Sequence, residues 1–321
     1  MNKNKKLTFN KVYEKVGNLL ILLVMIVIFS ALSPAFLTSA NLINILRQVS
    51  TTAIVTVGFT MLLISGGLDL SVGSQMAVMG VVCGLLLQSG IPAAAAILIG
   101  ILITTGIGLF NGFVIVRTSI PPMMATIAMM TALRGLAYIL CEGYPIYEIP
   151  ASIIWMGQGM VFGVIPVPVV IMVIIILIGA VVLTKTYLGR YFFAVGSNDE
   201  ATRLCGINVS KIRILGYAVT GFLCGVAGLI MMGRVSSAQP AAGDAFEMDV
   251  LTAAVLGGVS VNGGRGSVLG ATLGVLVIGV LTNGMQLIGV DNYWQKLVKG
   301  AILLLVIVLD SIRAKSAQKR G

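Results

Sequence analysis

Long apolar runs recur throughout this chain, and they restrict its fold more than any other feature. The runs 49–65, 92–116 and 268–288 approach or exceed the roughly 20 residues that a helix needs to cross the hydrocarbon core of a bilayer. In lipid the backbone must satisfy its own hydrogen bonds, so such runs form helices or closed barrels. Because 58% of residues are hydrophobic and 10% charged, we expect an all-α fold: a polytopic integral membrane helical bundle, in which 1–321 form one domain of about ten transmembrane helices.

The distribution of charge predicts the orientation of these spans. The net charge is +10, and basic residues are concentrated before the first span, after the last span and in the polar segment 184–213. Short basic loops stay on the cytoplasmic side, so we expect the N- and C-termini and 184–213 to be cytoplasmic. Acidic residues fall in 142–168 and 234–249, which we expect to be external loops. Since the basic residues follow topology rather than one face of a domain, no nucleic-acid partner is expected.

The beginning of the chain permits two interpretations. The apolar stretch Leu19–Phe29 follows a lysine-rich start and could serve as a secretory signal. We interpret it as a retained first span, because apolar residues resume at 35–37 and the later spans need no separate export signal. The next segment, Asn41–Gln48, is short and amphipathic, which predicts a helix lying at the outer membrane interface.

Two glycine-rich patches interrupt the apolar sequence. Residues 66–74 contain Asp69, two serines and three glycines, and residues 250–267 join a short apolar stretch to GGVSVNGGRGS. Non-helical backbone at membrane depth is tolerated where protein covers it or where it faces water. Both patches therefore predict broken or re-entrant segments, and 250–260 could either cross the membrane or only dip into it.

Glycines also recur at four-residue spacing, which predicts close contacts between helices. Small residues one turn apart let helix backbones approach each other in lipid. Packing within the bundle is favoured over a specific dimer face. The glycines with this spacing are Gly108 and Gly112, Gly221 and Gly225, and Gly266, Gly270 and Gly274.

The segment 184–213 is the longest polar interruption of the sequence, and its middle predicts a short helix. Asn198 precedes DEATRL, a run of good helix formers, and Gly206 follows it closely. Asparagine is a favoured N-cap, and glycine is a favoured helix stop. A short surface helix between membrane spans is a candidate docking site for a partner.

The sequence contains no constellation typical of catalysis or metal binding. It has no histidine and no carboxylate pair in an apolar setting that would keep one of them protonated. The glycine-rich stretch 258–267 lacks the lysine that a phosphate-binding loop requires. The four cysteines lack metal-ligand spacing, so packing is expected for them: Cys83, Cys141, Cys205 and Cys224. We therefore expect no enzyme activity, no metal site and no cofactor held by this chain.

A few polar side chains within the apolar sequence are candidates for a solute path. Asp69 could mark an ion or substrate route, or it could cap the third helix together with Ser71. Arg134 could extend to lipid head groups or line a water-filled path. Three uncharged groups could join helices or bind a hydroxylated solute: Asn111, Asn283 and Gln286. The expected lack of an ion pair within the membrane favours a neutral polar cargo.

The source of energy separates two classes of transporter. A secondary transporter is expected to carry several intramembrane carboxylates or histidines for ion coupling, and this chain offers only Asp69. A primary transporter instead takes energy from a separate ATPase and needs a cytoplasmic contact with it. The segment 184–213 could supply that contact.

Four stretches in this order resemble the membrane permease subunit of bacterial ribose-type sugar ABC importers, in the branched-chain amino acid and sugar permease superfamily. The likeness covers nearly the whole chain, including the lysine-rich start. The stretches are GLDLSVGS at 67–74, LGRYFFAVGSNDEATRLCGINV at 188–209, RVSSAQPAAGDAFEMDVLTAAVLGGVSVNGGRGS at 234–267 and NGMQLIGV at 283–290.

The resemblance implies a non-catalytic permease of the bacterial cytoplasmic membrane, paired with a second permease copy as a homodimer or heterodimer. Cytoplasmic ABC ATPase subunits would bind the ATP, and a periplasmic or lipid-anchored sugar-binding protein would dock on the external loops 142–168 and 234–249. The loop 184–213 would couple the permease to the ATPase. The positions carried over for this coupling are Gly196, Asn198, Glu200, Ala201, Thr202, Gly206 and Ile207, while Cys205 stands where a serine is frequent.

Several alternatives remain open at this point. The cargo could be another sugar, autoinducer-2, a nucleoside or a branched-chain amino acid. A stand-alone secondary carrier or channel would transport without an ATPase. An assembly scaffold would tolerate replacement of Asn198 or Gly206 without loss of uptake.

Overall fold

The computed structural model describes the backbone of residues 3–318 and the side chains of residues 17–308 and 310–312. The chain ends, 1–2 and 319–321, whose cytoplasmic location the sequence predicts, lie outside the described residues. Over the described range the chain forms helices and one two-stranded antiparallel sheet: α1 Lys3–Leu32, α2 Ser39–Ile64, α3 Val72–Gln88, α4 Ala93–Thr118, α5 Pro122–Leu140, α6 Ala151–Gln158, β1 Met160–Val161, β2 Ile165–Pro166, α7 Val167–Lys185, α8 Tyr187–Ser197, α9 Asp199–Leu204, α10 Val209–Val235, α11 Phe246–Leu256, α12 Val268–Leu287 and α13 Asn292–Gln318.

Six of the helices are long and apolar enough to cross a membrane: α2, α4, α5, α7, α10 and α12. Two further apolar helices are shorter, namely the Gly17–Leu32 part of α1 and α3. The expectation of a helical polytopic membrane protein is therefore confirmed. The number of about ten spans stays a prediction.

The candidate spans divide into central and peripheral helices. In α2 and α12, 78% and 72% of the most apolar window is buried within the chain, whereas in α4 and α5 only 22% and 17% is buried. Apolar helices with exposed surfaces are expected where lipid, rather than protein, covers them. The main hydrophobic core accordingly lies around α2, α10, α11 and α12.

The helices α4 and α10 pack closely through glycines. A Cβ atom at Gly108 would collide with the carbonyl oxygen of Tyr217, and one at Gly221 would collide with that of Thr104. Both helices thus need glycine for their backbones to approach this closely. The predicted packing role of the four-residue glycine spacing is confirmed at this pair of helices.

The start of α2 corrects the expectation for Asn41–Gln48. These residues form no separate interfacial helix, because α2 runs without interruption from Ser39 to Ile64. Asn41 is buried, and its side chain exchanges two hydrogen bonds of 2.9 and 2.8 Å with Asn283 of α12. The polar residues that made this segment look amphipathic therefore include one that contacts another helix.

The segment 142–168 has more structure than a loop. It contains α6 and the β1–β2 hairpin, which pairs Met160 with Pro166. The hairpin is a small departure from the all-α expectation. Gly157 of α6 packs against the backbone at Gly233 and Arg234, so α6 lies on the end of α10.

Both glycine-rich patches break helices, as the sequence predicts. Residues 65–71 separate α2 from α3, and α11 ends at Leu256 before the loop 257–267. With 11 residues, α11 is about 16 Å long, roughly half the thickness of the hydrocarbon core. The stretch 250–260 therefore contains the end of a half-length helix rather than a complete span.

The segment 234–249 is also not entirely a loop. Glu247 and Asp249 lie in the first turn of α11, and Glu247 is only 7% exposed. A Cβ atom at Gly73 would lie 3.1 Å from Oε2 of Glu247. The expectation that Asp69 is the one acid near the apolar interior is therefore wrong.

Candidate functional site

The polar segment 184–213 folds into two short helices before α10 begins. The predicted helix is confirmed as α9, Asp199–Leu204, and Oδ1 of Asn198 accepts a hydrogen bond of 2.9 Å from the backbone N–H of Ala201. Gly206 follows the helix with φ of +81°, a conformation that favours glycine. The sequence analysis missed α8, Tyr187–Ser197, whose Phe192 and Val195 are buried in the main core.

The residues proposed for coupling differ in what they contact. Glu200 and Ala201 are exposed, whereas Thr202 is buried and donates from Oγ1 to the carbonyl oxygen of Asn198 at 2.7 Å. Ile207 is half-buried and packs against the main core. Leu204, which the sequence analysis missed, is 85% exposed. The outer surface of α9 thus combines charge with one exposed apolar side chain.

Gly196 faces the protein rather than solvent. A Cβ atom there would collide with the carbonyl oxygen of Ile64 and would lie 2.6 Å from the backbone nitrogen of Gly264. The N–H of Gly264 also donates to the carbonyl oxygen of Ile64 at 2.8 Å. The end of α8, the end of α2 and the loop before α12 therefore meet at one point.

Asp69 is the centre of a buried polar cluster. It has no exposed surface, and its Oδ1 accepts from the backbone N–H and the hydroxyl of Ser71. Its Oδ2 accepts from Nε2 of Gln75 at 3.0 Å. Asn111 of α4 donates to Oγ of Ser71 at 3.1 Å, so the cluster joins the α2–α3 break to α4. Asp69 bonds Ser71, the N-cap residue of α3, and the side chain of Gln75, but the Ser71 side chain makes no cap hydrogen bond. Asp69 and Ser71 therefore do not cap α3 in the way that the capping interpretation expects.

Tyr217 of α10 completes the contacts of the broken segment. Its hydroxyl donates to the carbonyl oxygen of Leu68 at 3.1 Å and accepts from the N–H of Leu68 at 3.3 Å. Gln75 lies four residues after Ser71, so helix spacing could have identified it. No local signal in the sequence pairs Tyr217 with residue 68.

The other candidates for a solute path lie apart from this cluster. Nη1 of Arg134 donates to the carbonyl oxygens of Pro240 and Ala242 at 2.6 and 2.7 Å, so the guanidinium binds the segment that follows α10. The side-chain amide of Asn283 is hydrogen-bonded to that of Asn41, and Gln286 is exposed. The structure thus unites Asp69, Ser71 and Asn111 and separates the remaining three.

Two ion pairs link α13 to the segment 234–249, which the sequence predicts to be external. Nζ of Lys299 lies 2.8 Å from Oδ2 of Asp249, with the two side chains 20% and 25% exposed. Lys296 and Asp244 form a second, exposed pair at 3.2 Å.

A small cavity lies between α3, α10 and the residues that follow α10. Its lining residues include Met76, Gly80, Met231, Ala238 and Gln239. Its volume of about 20 Å³ is room for roughly one water molecule and too small for a sugar. Among the described residues, no group of three or more acids, cysteines or histidines could hold a metal ion.

Comparison with known proteins places this architecture in a family. Residues 41–307 match the family described as branched-chain amino acid transport system, permease component. The chain is 38% identical to the ribose import permease protein of Bacillus subtilis (strain 168) over 98% of this chain and 97% of that protein. It is 41% identical to the ribose import permease protein of Escherichia coli (strain K12) over 92% of each chain.

A sugar permease with another name is more distant. The chain is 31% identical to the D-allose transport system permease protein of Escherichia coli (strain K12), over 98% of this chain and 97% of that protein. No solved structure matches the chain. Proteins of this kind are the non-catalytic membrane subunits of their transport systems, and six apolar helices fit that location. The chain therefore belongs to the family of permease components of branched-chain amino acid transport systems.

Proposed function

We propose that this chain is the transmembrane permease subunit of an ATP-driven importer that carries the monosaccharide ribose across the bacterial cytoplasmic membrane. The observation that carries the proposal is the identity of 38% and 41% to two ribose import permease proteins across nearly their whole length. The identity to the D-allose permease protein is 31%, which favours ribose.

The permease works with an ATP-binding component and a substrate-binding component. In this proposal the ATPase docks on α8 and α9. The ATPase, and not the permease, binds the ATP. The exposed Leu204 and Glu200 form the outer contact of α9. Gly196, being turned inward against Ile64, fixes α8 to the bundle instead of touching the ATPase.

The orientation follows the positive-inside rule. The six apolar helices, together with α1, α3, α11 and α13, make up about ten membrane segments, with both termini and 184–213 in the cytoplasm. Segments 142–168 and 234–249 face outward and dock the sugar-binding protein. The second permease copy covers part of the exposed apolar surface, and lipid covers the rest.

The buried cluster around Asp69 is the best-supported part of a solute path. It unites three candidates from the sequence, Asp69, Ser71 and Asn111. Oε1 of Gln75, a member of the cluster, and Oγ of the preceding residue, Ser74, are buried without a hydrogen-bond partner among the described residues. Unsatisfied polar groups of this kind suit a hydroxylated solute. Arg134, Asn283 and Gln286 are assigned no direct contact with it.

Cargo identity is tested with the permease in proteoliposomes that also contain its ATPase and its binding protein. We expect ATP-dependent uptake of labelled ribose. An excess of unlabelled ribose should suppress this uptake, and the same concentration of D-allose or leucine should not. Suppression by leucine alone would contradict the sugar assignment. Suppression by D-allose alone would leave the assignment as an importer intact and would make D-allose, rather than ribose, the cargo.

A further inference from the structure

Arg213, in the second turn of α10, contacts two other elements at once. Its Nη2 lies 3.4 Å from Oδ2 of Asp199, the first residue of α9. Its Nε donates to the carbonyl oxygen of Ser65, the residue that ends α2, at 3.4 Å. The side chain is 30% exposed, so it lies at the boundary between the surface helix and the bundle. One guanidinium therefore connects α9, α10 and the α2–α3 break.

The contacts continue inward from Ser65. Three residues later, Leu68 is held through both its N–H and its carbonyl oxygen by the hydroxyl of Tyr217. Tyr217 lies four residues after Arg213, on the same face of α10. The next residue of the break, Asp69, bonds Ser71 and Gln75, and Ser71 bonds Asn111 of α4. These polar contacts, together with the backbone of residues 65–69 that joins them, connect α9 to the buried cluster.

This arrangement differs from that of the neighbouring basic side chain. Lys211 is exposed, and its backbone N–H bonds Asn208, whereas its Nζ has no hydrogen bond or ion pair among the described residues. The two residues carry the same charge and lie on the same turn. Only Arg213 reaches both Asp199 and Ser65.

We propose that Arg213 is a positioning residue that transmits displacement of α9 to the α2–α3 break, and through Leu68 and Tyr217 to the cluster around Asp69. The proposal rests on the proposed function, in which an ATPase moves α9. A six-residue helix has little packing of its own, so its motion moves the bundle only through its attachments. Gly196 attaches α8 to the same end of α2, and Arg213 adds the attachment of α9.

A purely stabilising ion pair gives a different expectation. Exposed pairs contribute about 0–1 kcal/mol to stability, and their loss leaves transport per ATP unchanged. Loss of a coupling contact instead lowers the ratio of sugar uptake to ATP hydrolysis. Couplings between two sites commonly change the affinity at one of them by about 5- to 150-fold. A pathway of contacts becomes a mechanism only when such a coupling is measured.

The test uses the complete transporter in proteoliposomes, with ATP hydrolysis and ribose uptake measured in the same vesicles. The variants are Arg213→Gln, Asp199→Asn, the double variant, and Lys211→Gln as the control. We expect Arg213→Gln to retain ATP hydrolysis and bound ATPase while uptake per ATP falls about fivefold or more. Lys211→Gln should behave as the unmodified protein.

The double variant distinguishes a shared contact from two separate effects. If Asp199 and Arg213 act through one another, the loss in the double variant should not exceed that of Arg213→Gln. Asp199→Asn should reduce uptake per ATP less than Arg213→Gln does, since Arg213 keeps its bond to Ser65. It serves as the test if Arg213→Gln fails to insert into the membrane. Unchanged uptake per ATP in both single variants, or losses that multiply, would overturn the proposal. Absence of ATP-dependent uptake by the unmodified protein would instead contradict the proposed function.

Discussion

Asp69 shows what a buried carboxylate needs when only neutral donors surround it. Within the described residues its hydrogen-bond donors are Ser71 and Gln75, and its side chain has no exposed surface. Burying a charge is costly unless hydrogen bonds compensate it. The carboxylate is therefore tied to its partners, and the conformation of the α2–α3 break depends on them.

Replacing Asp69 tests this dependence. Asp69→Ala leaves the N–H and the hydroxyl of Ser71 without this acceptor, while Nε2 of Gln75 keeps its bond to Oγ of Ser71. We therefore expect a loss of about 1–3 kcal/mol in stability. Asp69→Asn should cost less, because the unpartnered Oε1 of Gln75 can turn to accept from the new amide. Thermal unfolding in detergent measures both, with the exposed Glu142→Gln as the control. Equal losses from both variants would show that the negative charge itself is required.

The hydroxyl of Tyr217 is a second test at the residue scale. Tyr217→Phe leaves both the N–H and the carbonyl oxygen of Leu68 without this partner, and each such loss costs about 1–3 kcal/mol when the group is buried. We expect a lower unfolding temperature than for Tyr293→Phe, whose ring is 82% exposed. Equal unfolding temperatures for the two variants would contradict the role given to this hydroxyl.

At the scale of elements, the proposed function depends on short helices and on close packing between helices. The helix α9 is fixed at its start by Asn198 and ended before Gly206, and α4 meets α10 through glycines on both helices. Each feature depends on a backbone geometry that few residues permit. Substitutions at these glycines therefore test the end of α9 and the contact between α4 and α10 separately.

Gly206→Pro is expected to uncouple ATP hydrolysis from sugar uptake. Proline fixes φ near −65° and lacks an N–H, whereas Gly206 has φ of +81° and donates to the carbonyl oxygen of Arg203 at 3.0 Å. Gly90→Pro is a matched control, since Gly90 has φ of +83° and donates to Leu87 at 3.0 Å in a different loop. Uptake per ATP should fall only in Gly206→Pro. An equal effect in both variants would contradict a coupling role for α9.

Gly221→Ala tests the packing of α4 on α10. The new methyl group collides with the carbonyl oxygen of Thr104, and overpacking of this kind costs about 1–3 kcal/mol. At Gly106, also on α4, nothing lies within 4 Å of an added Cβ, so Gly106→Ala should leave the unfolding temperature unchanged. If Gly221→Ala unfolds at the same temperature as the unmodified protein, the two helices do not need this close approach.

For the whole molecule, the sequence predicted those features that local patterns determine. The apolar runs, the cap at Asn198 and the break at 66–74 follow from neighbouring residues, and the structure contains each of them. Contacts between distant residues were not predictable in this way. Arg134 with Pro240, and Asn41 with Asn283, pair residues more than 100 positions apart. The short helix α8 was missed because Phe192 and Val195 pack against residues that are distant in the sequence.

The central claim is that this bundle performs transport only when a separate ATPase moves its cytoplasmic helices. The most direct measurement is ribose uptake into proteoliposomes that contain the permease and binding protein, with and without the ATPase. The account predicts ATP-dependent ribose accumulation with the ATPase and none without it. Accumulation of ribose by the permease in the absence of the ATPase would contradict the account.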